Sequence, residues 1–221
     1  MAILDSAGPQ HRPGPPRLLL ASSNPGKLRE YNELVVNSHI ELDLLSRFSE
    51  LAPFDESAPT FAENATGKAL HYSNFTEQII LADDSGLVVP ALGGEPGVHS
   101  ARYAGPNATD ADRVQKLLRA MENKNGADRR ARFVCVISIA REGRVLAVVS
   151  DSAEGLMAKE PQGKYGFGYD PIFLFPELGR TYAEISPEEK NRLSHRGKAF
   201  RKVLALFAGD DSFGNARETR S

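Results

Sequence analysis

At 221 residues, with 41% hydrophobic and 25% charged side chains, the chain has room for one well-buried domain or two small lobes, and its composition excludes a disordered or fibrous protein. A net charge of −2 leaves no global field to attract nucleic acid, so an anionic ligand would have to be small and held by locally clustered Lys and Arg. Its apolar runs fall short of the roughly 20 residues that span a bilayer, no basic-then-apolar signal pattern opens the chain, and the one cysteine, Cys135, reads as a buried strand residue, which together fit a reducing cytoplasm.

In chain order, residues 1–16 are rich in Pro and Gly and read as a flexible leader, with the fold starting at Arg17. Residues 17–21 predict a short buried strand, 22–26 a polar loop, and 27–36 a helix with Leu28, Tyr31, Leu34 and Val35 on one face. A second strand is expected over 40–45, then an acidic, Pro-containing loop to Pro59. Thr60-Phe61-Ala62-Glu63 is a capping-box pattern opening a helix to about Phe75. Residues 79–82 predict a buried strand that ends on Asp83-Asp84.

Beyond a Gly-rich stretch over 92–105, Thr109-Asp110-Ala111-Asp112 caps a helix whose Val114, Leu117, Leu118 and Met121 share a face and should pack on a sheet. The runs 132–141 and 144–152, joined by Glu142-Gly143, have the spacing of a two-residue hairpin. A loop over 159–170 leads to a strand at 172–175. Ser186-Pro187-Glu188-Glu189 opens the last helix, with Pro at its first position. Residues 209–221 read as a frayed tail, so the expected folded unit is 17–208: a mixed, twisted α/β sheet with flanking helices.

Six stretches carry chemistry. Ser22-Ser23-Asn24-Pro25-Gly26-Lys27 is a tight polar turn from strand into helix, a place where backbone N–H groups, the helix dipole and Lys27 can meet a phosphate. The plainer alternative is an Asn24 helix cap with an exposed Lys27. It is not a Walker A loop, because Ala21 and Leu28 stand where that motif needs Gly and Ser or Thr. Asp83 and Asp84 would repel each other in a dry site and so need solvent, donors or a cation, and Mg²⁺ is the cation that usually accompanies phosphates. A solvated strand end or an Asx turn before Gly86 serves equally well from the pair alone. Asp55-Glu56 offers a second carboxylate, or simply an exposed acidic loop.

Lys68 shares a helix face with Asn64, where a solvated polar face is the default. The loop 163–171 interleaves Tyr165, Phe167 and Tyr169 with glycines. This suits stacking on a flat ligand, or else covers the sheet. On the last helix Arg196 projects into the arc of Leu193, Phe200, Val203, Leu204 and Phe207. It either snorkels or faces a polar cleft, where Lys190 and His195 would add donors for a phosphate or a purine carbonyl edge.

Taken together, the blocks Ser23-Asn24-Pro25-Gly26-Lys27 with Glu30, Thr60-Phe61-Ala62-Glu63-Asn64-Ala65 with Lys68-Ala69, Ala82-Asp83-Asp84-Ser85-Gly86-Leu87, Leu92-Gly93-Gly94-Glu95-Pro96-Gly97, Ser100-Ala101-Arg102-Tyr103-Ala104-Gly105, Gly166-Phe167-Gly168-Tyr169-Asp170-Pro171 and Glu189-Lys190 with Ser194-His195-Arg196-Gly197 resemble the inosine and xanthosine triphosphate pyrophosphatases. The resemblance implies two lobes with the site in the cleft between them, a homodimer, and hydrolysis of faulty purine triphosphates (ITP, dITP, XTP) to a monophosphate and pyrophosphate. It implies that Ser22, Ser23, Asn24, Pro25, Gly26 and Lys27 hold the triphosphate, with Lys68 near it. Glu56 and Asp84 would hold Mg²⁺, with Asp55 the alternative to Glu56, and Asp84 would accept the proton of water. Ser85, Phe167, Gly168, Tyr169, Asp170, Lys190, His195 and Arg196 would bind the substrate and its base. Arg196 or a protonated His195 would favour the 6-carbonyl over adenine's amino group. A pyrophosphatase of the Maf type, a nucleotide sensor without turnover and a nucleic-acid module are the rival readings.

Overall fold

The computed structural model describes residues 14–36, 38–45 and 51–209. Most of the expected leader and nearly all of the expected tail lie outside these. Seven strands form one sheet in the order β2-β1-β3-β4-β5-β6-β7: β1 (Arg17–Leu20), β2 (Glu41–Leu44), β3 (Ile79–Val88), β4 (Arg130–Arg141), β5 (Arg144–Met157), β6 (Phe173–Phe175) and β7 (Arg180–Thr181). β1 runs parallel to β2 and β3, and the other pairs are antiparallel. The helices are α1 (Pro25–Val35), α2 (Phe61–Ser73), α3 (Asp110–Ala120), α4 (Pro187–Leu193) and α5 (His195–Gly209).

The two-residue period of a strand divides the core. On one face Leu18, Leu20, Ile79 and Leu81 join Tyr31 of α1 and Phe200, Val203 and Phe207 of α5. On the other, Leu19, Ile80 and Ala82 pack under Ala69 and Tyr72 of α2. A third cluster, around Phe133, Phe173 and Tyr182, is capped by Val114 and Leu117 of α3 and by Met121 at its C-terminal end. Cys135 is fully buried, and burial pushes its thiol up to about 12, which makes it inert.

Two sequence expectations are corrected here. β3 does not end at Ala82 but continues to Val88, so Asp83 and Asp84 lie inside a strand. β1 stops opposite Leu81, while β4 goes on pairing with β3 to the end, Asp83 opposite Ile137 and Asp84 opposite Val136. The carboxylates therefore stand in the gap left where the parallel neighbour ends. The second correction is the last helix, which is two. Ser194 is extended (φ −70, ψ 158), and its Oγ accepts from the Gly197 amide at 3.1 Å, capping α5 afresh. Gly197 then lets α5 pass directly over the Asn191 carbonyl, where a Cβ would collide. The hairpin turn at Glu142-Gly143 stands as expected, with φ of 50 and 72, whereas the two-residue β7 carries no alternation long enough to predict.

Candidate active site

A cleft of about 410 Å³ runs between the cluster under α2 and the cluster capped by α3. Of the residues singled out in the sequence, Ser22, Ser23, Asn24, Lys27, Glu56, Lys68, Asp84, Ser85, Phe167, Gly168, Tyr169, Asp170, Lys190, His195 and Arg196 line it, while Pro25, Gly26 and Asp55 do not. Asp55 is exposed and Glu56 half-buried.

At one end, α1 begins with Asn24, whose Oδ1 accepts from the Gly26 and Lys27 amides at 2.9 and 3.1 Å. The Asn24 cap weighed in the sequence is therefore present, and these two amides are taken up by it. The cation offered is Lys27 itself. Gly26 is required for another reason: a Cβ there would enter the Phe167 ring, so this glycine lets the aromatic loop pack on the start of α1.

The strand period sends Asp83 and Asp84 to opposite faces, and their fates differ. Asp83, fully buried, meets Lys27 Nζ at 3.1 Å and Arg196 Nε at 3.5 Å. Burial works against its charge, but Lys27, Arg196 and Lys68 outweigh it and hold the carboxyl at about 2. Asp84 instead faces α2, where Asn64 Nδ2 donates to its Oδ2 at 3.0 Å. Burial raises its carboxyl above the ordinary value against the pull of Lys27, and Glu56 adds to the rise. A carboxylate lifted in this way, at the wall of a cleft, has the character of a proton acceptor. Lys68 is no solvated face residue, because it is buried and donates to Glu56 Oε1 at 2.6 Å and to the Asp83 carbonyl at 2.8 Å.

At the other end lie α4, α5 and the aromatic loop. Arg196 is 2% exposed, which removes snorkelling. Its guanidinium is spent inward, on Glu30 and on Ser85 Oγ at 2.8 Å. Lys190 bonds to Glu30 and Asp170. Burial opposes its charge, and the two carboxylates overcome this and raise it above the ordinary lysine value. The three aromatics part company: Tyr165 is exposed, Tyr169 is buried in the core with its OH donating to the Ser100 carbonyl at 2.9 Å, and only Phe167 stands half-buried in the cleft. His195 stacks on Phe133 at 4.7 Å and 9°. Burial, with Arg196, Lys190, Lys27 and Lys198 nearby, drives its pKa well below 6.5, so the protonated His195 expected as a base donor is corrected to a neutral imidazole.

Sequence reasoning gave no role to Glu30, which lies one turn beyond Lys27 on α1 and neutralises both Lys190 and Arg196. The signal was present as a surplus of buried cations on the last helices that needed a counter-charge. Among the described residues no group of three or more His, Cys, Asp or Glu side chains is arranged to hold a metal; Asp84 and Glu56 are the carboxylates on the cleft wall near Lys68.

A mixed sheet with a cleft carrying lysines and a raised carboxylate at one end and an aromatic, donor-rich pocket at the other defines a nucleotide-handling enzyme of the α/β class. The chain belongs to the Ham1 family, whose model matches residues 18–206. It is 47% identical over 186 residues to a dITP/XTP pyrophosphatase of Geobacillus kaustophilus, covering 84% of this chain and 91% of that protein. It is also 47% identical over 191 residues to one of Thermus thermophilus, covering 86% and 91%. Among solved structures, a HAM1 protein from Coxiella burnetii matches with a TM-score of 0.79 and 44% identity, over 88% of this chain and all of that one. No described helix is long and apolar enough to cross a membrane.

Proposed function

We propose that this chain hydrolyses noncanonical purine nucleoside triphosphates (ITP, dITP and XTP) to the monophosphate and pyrophosphate, with the triphosphate at the Lys27 and Asp84 end of the cleft. The observation that carries the reading is one continuous cavity that joins Asp84, Lys27 and Lys68 to Phe167, Lys190 and His195. Relatives that share nearly half their residues with the chain and bear the name dITP/XTP pyrophosphatase support it.

In the reaction, water oxygen bonds to the α-phosphorus, the bond from that phosphorus to the bridging oxygen breaks, and pyrophosphate leaves with that oxygen. Asp84, at the wall of the cleft, takes the proton from water. Lys27 and Lys68 offset charge on the phosphate oxygens. Ser22, Ser23 and Asn24 shape the phosphate end. Phe167 offers a face to the base. Lys190 has three N–H donors and gives two to Glu30 and Asp170, so one remains for a purine carbonyl, and neutral His195 supplies another donor. Arg196 and Ser85 act together here, the guanidinium fixing the hydroxyl.

Mg²⁺ fits the donor set. Lys27, Lys190 and Arg196 are each already paired with a carboxylate of this chain, so they meet the charge of a triphosphate only in part, while Asp84 and Glu56 both line the cleft with hard oxygens. Those two would hold the ion, which when bound supplies the charge that shields the phosphate oxygens. The working unit in this reading is a cytoplasmic homodimer of 17–208 catalytic domains, supported by the family resemblance and by a single, inert cysteine.

The test supplies ITP, XTP, dITP, GTP and ATP with Mg²⁺ and measures pyrophosphate against orthophosphate. Pyrophosphate from the first three, far above that from ATP, is expected. Orthophosphate as product, or ATP cleaved as well as ITP, would overturn the proposal.

A further inference from the structure

The start of α3 carries more acid than a helix start needs. Thr109 and Asp112 already form a complete capping box: Thr109 Oγ1 accepts from the Asp112 amide at 3.2 Å, and Asp112 Oδ2 accepts from the Thr109 amide at 2.9 Å. Asp110 is therefore free of capping duty, and its carboxylate turns toward the cleft, which it lines together with Arg113. One oxygen accepts from the Gly168 amide at 2.7 Å, 58 residues away. The other is ion-paired with Arg113, whose Nη1 donates to the Ala101 and Ala108 carbonyls at 2.9 and 2.7 Å. Asp110 is thus held from behind by a guanidinium that is itself anchored on two backbone carbonyls.

Gly168 sits at φ +62 with no atom within 4 Å of where a Cβ would be, so no side chain of its own fixes this peptide. Its neighbours are tied elsewhere, the Phe167 amide to Asp170 Oδ2 at 2.8 Å and Tyr169 to Ser100. The carbonyl of the same peptide is held within the loop by the Asp170 amide at 3.2 Å, and the Gly168 amide is the point at which the peptide is tied to α3. We propose that Asp110, braced by Arg113, is a positioning residue that fixes the Gly168 peptide and thereby the Phe167 ring at the base end of the cleft. The inference rests on the placement of the base at Phe167 in the proposed function. It assigns Asp110 no contact with the reacting atoms, so its loss should weaken recognition of the base more than the chemical step.

The experiment compares Asp110→Ala, Asp110→Asn, Phe167→Ala and Asp112→Ala with the unmodified chain. It measures KM and kcat for ITP, the inhibition constant of inorganic tripolyphosphate, which has no base, and the thermal midpoint. For Asp110→Ala, KM for ITP should rise about tenfold, with kcat and the tripolyphosphate constant each within about threefold of the unmodified enzyme. Asp110→Asn keeps an oxygen that can accept from Gly168 and should recover most of the lost KM. Asp112→Ala should lower the melting point without moving KM. If Asp110→Ala leaves KM unchanged while Phe167→Ala raises it, the positioning role is refuted and the base site stands. If KM and the tripolyphosphate constant rise together in Asp110→Ala, the role is also refuted, because the damage is then general. If Phe167→Ala leaves KM for ITP unchanged, it is the placement of the base that fails.

Discussion

His195 gives a prediction that can be worked through from burial and charge. The ring is 3% exposed, lies flat on Phe133, and its Nδ1 is buried without a partner. No carboxylate is among the main causes of its shift, which are burial and then the cations Arg196, Lys190, Lys27 and Lys198. The folded state therefore keeps the imidazole neutral while the unfolded chain protonates it near the ordinary value of 6.5. The sign follows from proton counting: below that value the unfolded state binds more protons, so the stability tied to neutral His195 is present above about pH 6.5 and is lost as pH falls toward the folded pKa. One proton changes stability by at most about 1.4 kcal/mol per pH unit, so below pH 6.5 stability falls toward that slope for as long as the folded ring stays neutral. Urea unfolding of the unmodified chain and of His195→Gln across that range isolates the term, and the variant should show the shallower dependence. The NMR signal of the His195 ring should stay at its neutral position through pH 6.5 and move only well below it. A ring that titrates at 6.5 or above, or equal slopes in the two proteins, would refute the reasoning.

Three further outcomes follow from the geometry. Asp84→Asn keeps the shape but removes both the proton acceptor and a charge that would hold Mg²⁺, so kcat should fall by about 100-fold or more, measured by pyrophosphate release. Gly26→Ala places a methyl in the Phe167 ring and should raise KM for ITP about tenfold, with a smaller effect on tripolyphosphate inhibition. Gly197→Ala drives a Cβ into the Asn191 carbonyl and should destabilise the α4–α5 corner by about 3 kcal/mol or more in urea unfolding.

Local signals were legible wherever one residue type did one job. The Thr60 and Thr109 caps, the Glu142-Gly143 turn and the apolar faces of α1 and α3 were readable because each follows from the chain's own period. The break at Ser194 was not, because His195 and Arg196 keep helical spacing on both sides, and only the close pass of Gly197 over Asn191 forces the corner. Lys68 read as solvated because its partners, Glu56 and the Asp83 carbonyl, come from a separate loop and strand. Glu30 stayed silent for the same reason: its value lies in Lys190 and Arg196, some 160 residues away.

The Asp83-Asp84 pair shows how far a period can carry an inference once a neighbour's length is known. As the end of a strand, the two carboxylates would share solvent and one role. As the interior of a strand that outruns β1, they face opposite ways, and the faces differ in charge. Asp83 meets Lys27 and Arg196 and is held at about 2, which keeps it ionised and committed as a counter-ion that places Lys27. Asp84 faces Asn64, and burial raises its affinity for a proton, with Glu56 adding to the rise against the pull of Lys27, Lys68 and the Asn64 hydrogen bond. Adjacent identical residues thus acquire opposite tendencies: alternation gives Asp83 the direct Lys27 and Arg196 contacts that overcome burial, and Asp84 lacks them. A shift of register by one residue would exchange them, leaving the acceptor paired with a lysine and the cleft without its base.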